Sequence, residues 1–432
     1  MQSPTRPTFA VSRWISLLSC IVTASAFTAP ATAADKEAEN RSGPQRNEDL
    51  TVPFFITSQD PGLDWWYRIP PNSGPVIETT GELYRGQRFL ALPFVVQYAR
   101  DEAGEFDLVY SIRQTAPDGE TTEILSDVEF KAPSAASHII LPLPKYPGGF
   151  YEEEDALGAY TFTVTLRDRL AKKTVSAEAE FSLIEWEAPE PFDSQKLIST
   201  GTTEFYRTND PDWLYASFVS PDLQMEQENT TTGFNGALLG FFQAAFASNE
   251  FLLPHLETAF PDAGPTPRRN ILLLRALLNE PPLPQEELTE REQAFQDACH
   301  SLEFSDPYET LLFPDQLDRL WGEFFATGRY KPIRRLIDAL SLAPYKEKAD
   351  EALENGKMPE GRDALRDFWR GMTFKAAVWS LGANCKNHRL VRQYCAWTLK
   401  NEDLPANDAA LLRAILSTST KNQESTASPD LP

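Results

Sequence analysis

The sequence predicts a chain in two unlike parts, an antiparallel β-sandwich followed by an all-α domain of helical hairpins. Three observations carry this. Short runs rich in Val, Ile, Phe, Tyr and Thr, several alternating apolar with polar, occupy residues 51–187. The stretch Glu185-Trp186-Glu187-Ala188-Pro189-Glu190-Pro191 ends that texture, its prolines marking a stiff linker over 188–192. From residue 193 to 417 the apolar period becomes helical, with Pro, Gly and Asn/Asp clusters between the runs. A length of 432 residues suits two or three domains, each able to bury a core.

Ahead of the first strand, Arg6 and Arg13 flank an apolar stretch from Trp14 to Phe27, followed by Ala31-Thr32-Ala33. A basic flank, a short apolar core and a small-x-small site make a secretory signal peptide over residues 1–33, cleaved after Ala33. The expected location is the periplasm or the exterior. Leu17-Leu18-Ser19-Cys20 offers the alternative of a lipoprotein anchored through Cys20, although the apolar run continues past that cysteine. Residues 34–50 are polar without periodicity and read as a disordered leader. No other segment is apolar enough to span a membrane.

The strand runs are Val52–Ile56, Phe89–Tyr98, Phe106–Thr115, His138–Leu143, Tyr160–Leu166 and Thr174–Ile184. In Tyr160-Thr161-Phe162-Thr163-Val164-Thr165-Leu166 every second residue is apolar, so one face is buried. Pro117-Asp118-Gly119-Glu120 and Pro147-Gly148-Gly149 supply turns. The segment Glu154-Asp155-Ala156-Leu157-Gly158-Ala159-Tyr160-Thr161-Phe162 resembles the tyrosine corner of bacterial immunoglobulin-like domains, and the resemblance covers residues 51–187. It implies an Ig-like sandwich. Phe162 stands where antibody domains carry a cysteine, so an apolar pair must replace the inter-sheet disulfide.

Helices are expected over 234–247, 249–260, 268–278, 285–302, 315–326, 331–342, 361–384, 389–399 and 407–416, with Asp193 capping a short one and a disordered tail over 418–432. Gly236-Ala237-Leu238-Leu239-Gly240 has the spacing that lets two helices approach closely. The run from Trp321 through Gly322, Gly328, Tyr330, Ala339 and Leu340 to Pro344 resembles a degenerate tetratricopeptide repeat, echoed weakly at Trp379, Val391 and Arg392. Ile333, where that family has a small residue, departs from it. The resemblance implies a stack of helical hairpins, each burying its apolar face on the next.

Forty Lys and Arg against 63 Asp and Glu give a net charge of −23, which argues against nucleic acid as a partner. No phosphate-binding glycine loop, nucleophile elbow, HExxH or CxxC occurs, and no pattern implies a cofactor. His138, His255, His300 and His388 are scattered, with no metal-ligand spacing between them. Glu152-Glu153-Glu154-Asp155 lacks the alternation of calcium loops and reads as a solvated face. The Arg329, Lys331, Arg334 and Arg335 face is a basic patch with Asp338, Glu323 and Asp315 available to neutralise it. Removal of the signal leaves Cys299, Cys385 and Cys395, an odd number, and Cys385 meets Cys395 only if their helices pack in register.

Asp64-Trp65-Trp66-Tyr67 is the aromatic cluster that suggests binding, with Trp65, Trp66 and Tyr67 as candidates for stacking on a sugar ring or a peptide proline. In an extended chain Trp66 faces one side while Trp65 and Tyr67 share the other. The expected function is a non-catalytic exported interaction or scaffold protein, with no catalytic residues and no metal. Its helical stack takes a protein or peptide partner. The alternative is a secreted or periplasmic hydrolase with a carboxylate site in the helical domain and a carbohydrate-binding sandwich. A perturbed carboxylate pair in a cleft between the parts would favour the hydrolase, and an uncovered apolar groove would favour the scaffold.

Overall fold

The fold is that of a computed structural model describing residues 50–59, 66–68, 77–132, 140–192, 201–203, 205–227, 233–302 and 305–426. The signal peptide, Cys20, the leader through residue 49 and His138 lie outside the described residues. Sheets form the N-terminal half and helices the C-terminal half, so the β-then-α layout of the sequence reading is present.

Nine strands make two sheets among the described residues. β1 (Phe54–Thr57), β3 (Phe89–Val96) and β6 (Ile140–Pro142) lie side by side, and the short β7 (Gly148–Gly149) also pairs with β3. The second sheet runs in the order β2 (Glu82–Tyr84), β9 (Lys173–Ile184), β8 (Gly158–Asp168), β4 (Phe106–Thr115) and β5 (Thr121–Ala132). Its pairs are antiparallel except β2 with β9. The inner faces share one apolar core, in which Ile56, Phe89 and Val95 meet Tyr110, Tyr160, Phe162 and Phe181. Leu50, expected in the leader, belongs to that core. The Tyr160 hydroxyl donates to the Ala156 carbonyl at 2.9 Å, fixing the turn before β8. Phe162 packs on Phe89 and Phe181.

The β4–β5 hairpin turns at the expected Pro117-Asp118-Gly119, where Gly119 takes φ +87° and Asp118 Oδ1 accepts from the Glu120 amide. The acidic run Glu152 to Asp155 is a turn held by Arg85, which donates to the carbonyls of Glu153 and Asp155. Among the described residues no group of three or more His, Cys, Asp and Glu could hold a metal ion.

The end of the sheet half, just before the linker, is docked on the helices. Trp186 joins the helical core, donates through Nε1 to Asp212 Oδ1 at 2.7 Å, and sets its ring edge-on to Tyr215 and Phe251. After it come α1 (Phe205–Thr208), α2 (Pro211–Phe218), α3 (Gly236–Ser248), α4 (Leu253–Ala259), α5 (Pro265–Leu278) and α6 (Glu290–Ser301). The remainder is α7 (Pro314–Thr327), α8 (Tyr330–Asp338), a 3-10 turn Ala339–Tyr345, α9 (Lys346–Asn355), α10 (Arg362–Asn387), α11 (Arg389–Asn401) and α12 (Ala406–Thr426). No helix among the described residues is long and apolar enough to cross a membrane.

Asp210 and Asn235 cap α2 and α3 with side-chain oxygens, and Thr289 with Glu292 forms a capping box on α6. Gly328 (φ +64°) closes the α7–α8 hairpin, and its carbonyl accepts from Tyr394 of α11. The hairpins of α7–α8 and α10–α11 then share a core of Trp321, Phe324, Ile333, Leu381, Val391 and Tyr394. Cys385 and Cys395 lie in that core with their sulfurs 3.6 Å apart as free thiols, so the helices bearing them do pack in register. Of the basic patch, Arg334 pairs with Asp338 and Glu402, and Arg335 with Asp338.

The helix begun at Ala406 runs to Thr426, past the expected start of a disordered tail at residue 418. Leu412 and Ile415 anchor its first turns in the core, and extending a nucleated helix through Lys421, Asn422, Gln423 and Glu424 costs little.

Candidate functional site

The closest crossing of two helices sets up the site. A Cβ on Gly240 of α3 would stand 2.0 Å from the Arg319 carbonyl of α7, and one on Gly322 would stand 2.0 Å from the Ala237 carbonyl. The two backbones therefore touch, as the Gly236–Gly240 spacing allows. At the edge of this contact a cavity of about 760 Å³ opens between the sheets and the helices. Ser58, Gln59 and Arg88 line it from the sheet side, and α3, α7 and the end of α6 line it from the other.

Arg319 and Glu323 are four residues apart on α7, hence on one face. The Arg319 guanidinium donates to Gln243 Oε1 at 3.2 Å and to the Ser305 carbonyl at 3.1 Å. Gln243 in turn donates to the Leu277 carbonyl at 2.8 Å, so α3, α5 and α7 are tied together at the cleft wall. Burial pulls the Arg319 pKa down against the opposing pull of Asp306, Asp315 and Glu323. Burial pushes the Glu323 carboxyl up, although Tyr308, Lys331 and Arg329 favour its charged form. Tyr308 is held between Glu323 and the Lys331 ammonium, which sits 3.8 Å over its ring, and burial keeps its phenol protonated.

Opposite this wall, two side-chain amides run from sheet to helix. Asn209, in the left-handed region at φ +44°, donates to the Ser58 carbonyl at 2.8 Å, and its Oδ1 accepts from Asn249 Nδ2 at 2.9 Å. Arg88 pairs with Glu250 at 3.2 Å across the same junction. Cys299 also lines the cleft, and burial raises its thiol to about 12, so it carries no nucleophilic thiolate at neutral pH. Its neighbour His300 lines the cleft too, whereas His255 packs against Trp186 with its pKa lowered by burial.

Trp66 of the aromatic cluster lies away from this lining. Trp66 is in a 3-10 turn, Trp66–Arg68, rather than an extended segment. It is 7% exposed, packs on Leu92 and Phe94, and donates through Nε1 to the Ile140 carbonyl. The Trp66 ring is thus packed within the fold. Trp65 and the side chain of Tyr67 lie outside the described residues. Their neighbour Arg68 covers the Tyr330 and Trp397 rings at 4.6 and 5.0 Å, docking this turn on the helices. The cleft as a whole escaped the sequence because its lining comes from seven separated stretches, from Ser58 to Arg329. The available signal was the Gly236–Gly240 spacing, which marks where α7 must cross.

No known protein-family profile matches the chain. No curated protein matches it either. Among solved structures, a family 123 glycoside hydrolase from Clostridium perfringens aligns over 33% of this chain and 28% of its own, at 8% identity and a TM-score of 0.20. The chain thus spans little more than a quarter of that structure. A likeness so slight carries no argument.

Proposed function

We propose that the chain is a non-catalytic binding protein that holds a short segment of peptide in the cleft between its sheets and helices. The observation supporting this is the convergence of polar groups from both parts on one cavity of about 760 Å³, whose lining includes Arg88, Arg319 and Arg329 together with Asp306 and Glu323. Mixed charge and paired amides suit a polar, near-neutral chain that both donates and accepts hydrogen bonds. The sheet half is, in this reading, an Ig-like sandwich. The order β2-β9-β8-β4-β5, the parallel β2–β9 pair and the Tyr160 bond to Ala156 all support that topology. The N-terminal pattern supports export to the periplasm or exterior.

The hydrolase reading keeps one supporting observation, the raised Glu323 carboxyl, which could donate a proton. Of the other acids that burial raises, Asp318 and Asp408, neither lines the cleft beside it. Panning a random dodecapeptide library on the immobilised full chain tests the proposal. Enriched sequences whose capture is lost in both Arg319→Ala and Glu323→Gln are the expected result. If no sequence is enriched, while a panel of polysaccharides releases reducing ends that Glu323→Gln abolishes, the hydrolase reading takes its place.

A further inference from the structure

The hairpin of α10 and α11 carries two cysteines that take no part in lining the cleft. Cys385 follows Leu381 by one turn on α10, and Cys395 follows Val391 by one turn on α11, so both face the core that these residues share. Each is fully buried, and their sulfurs stand in contact at 3.6 Å. A bonded pair sits about 2 Å apart, a change that small rotations of both side chains supply. The chain between them, residues 386–394, turns back at His388, so forming the hairpin is enough to bring the sulfurs together. A zinc ion also gathers thiolates but needs further ligands. Among the described residues no group of three or more His, Cys, Asp and Glu could supply them.

We infer that Cys385 and Cys395 close a disulfide in the folded chain, and that this bond braces the cleft wall from behind. Tyr394, next to Cys395, donates its hydroxyl to the Gly328 carbonyl at 2.8 Å. Gly328 is the left-handed residue between α7 and α8, and its neighbours Thr327 and Arg329 both line the cleft. A bond that ties α11 to α10 therefore steadies the turn carrying those two residues. The oxidant is a small disulfide such as glutathione disulfide, in an oxidising compartment of the kind the N-terminal pattern supports. One cysteine thiolate attacks it, breaking its S–S bond and releasing one glutathione thiol as a mixed disulfide forms. The second cysteine thiolate attacks that mixed disulfide and releases the other glutathione. Two cysteine thiols thus give up two protons and two electrons, and the small disulfide takes up both. Contact with Cys385 and burial hold the Cys395 thiol well above its ordinary pKa in the closed core. Exchange therefore runs after the hairpin has paired the sulfurs and before the rest of the core covers them, and burial then shields the bond from reductant.

For the test, the full chain is reduced, unfolded in guanidinium, refolded with glutathione and glutathione disulfide, alkylated under denaturing conditions and digested. Trypsin cuts at Lys386, Arg389 and Arg392, so the bond is read as residues 376–386 and 393–400 held in one species. That species is about 2 Da lighter than the two thiol peptides together. It is expected after refolding, and it should disappear when dithiothreitol is added in guanidinium. The folded reduced chain, held in the same glutathione buffer with dilute urea, gives the same readout without a refolding step. Recovery of both cysteines alkylated, or of either one linked to Cys20 or Cys299, overturns the bond. For the brace, hydrogen exchange over residues 324–330 is expected to be at least about fivefold slower in the oxidised chain than in the reduced one. Equal exchange in the two forms overturns the brace. Neither readout involves a ligand, so the outcome is separate from that of the peptide-binding reading.

Discussion

Asp318 is a carboxyl placed against its own chemistry. On α7, one turn from Asp315 and pressed toward Gly236 of α3, it has its pKa raised by burial and by the Asp315 charge to about 7. A folded-state value above the unfolded one means that the folded chain binds this proton more tightly. The stability it lends is complete below the unfolded value of 3.8 and drains away as pH rises toward about 7. Asp318→Asn should therefore stabilise the chain at pH 8 by up to about 4 kcal/mol and by almost nothing at pH 4. Thermal melts at the two pH values check this, and equal shifts at both would contradict it. Single residues of this kind were poorly legible. Asp318 was one of 63 acids until the fold placed it.

At the scale of elements the sequence was readable where one period dominated. β4 has its expected limits, Phe106–Thr115, and β8 and β9 fall within two residues of theirs, because each buries an alternating face against the core. β5, Thr121–Ala132, escaped because it is an edge strand whose Glu123, Ser126 and Glu129 interrupt any apolar pattern. Edge strands carry such charges as protection against pairing with other chains. α9 escaped for a related reason, since it buries only Ala349 and Ala352. The Gly236–Gly240 spacing was the most informative local signal, and it bears a sharp test. Gly240→Ala must push its methyl into the α7 backbone, so a loss of at least about 3 kcal/mol is expected. Gly382→Ala on α10 meets nothing within 4 Å and should instead gain up to about 1 kcal/mol from helix propensity. Urea titration of the two variants separates a close approach from a general intolerance of alanine.

For the whole molecule, the sequence showed two textures and a proline-marked join, but not that the join is buried. Trp186 lies at the end of the sheet half in sequence and inside the helical core in space. With the Asn209–Ser58 and Arg88–Glu250 contacts and the Arg68 stack on Tyr330 and Trp397, it ties the halves into one unit. One calorimetric transition is expected for the full chain, and Trp186→Ala, at a cost of about 3–5 kcal/mol, should resolve it into two. Two transitions in the wild type would show that the halves melt independently. That reach across the join also explains why the cleft was illegible: its walls belong to different textures, and no window of sequence contains both.

The thiol pair between α10 and α11 has a consequence for how the chain matures. Cys299, Cys385 and Cys395 allow three pairings, yet only Cys385 with Cys395 sits within reach in the folded state. Closing that bridge needs a movement of about 1.5 Å from the observed separation to a bonded one. A chain oxidised before it folds would sample the two wrong bridges through Cys299 and trap helices that belong apart. In an oxidising compartment, then, folding has to outrun oxidation, or an isomerase has to undo its errors.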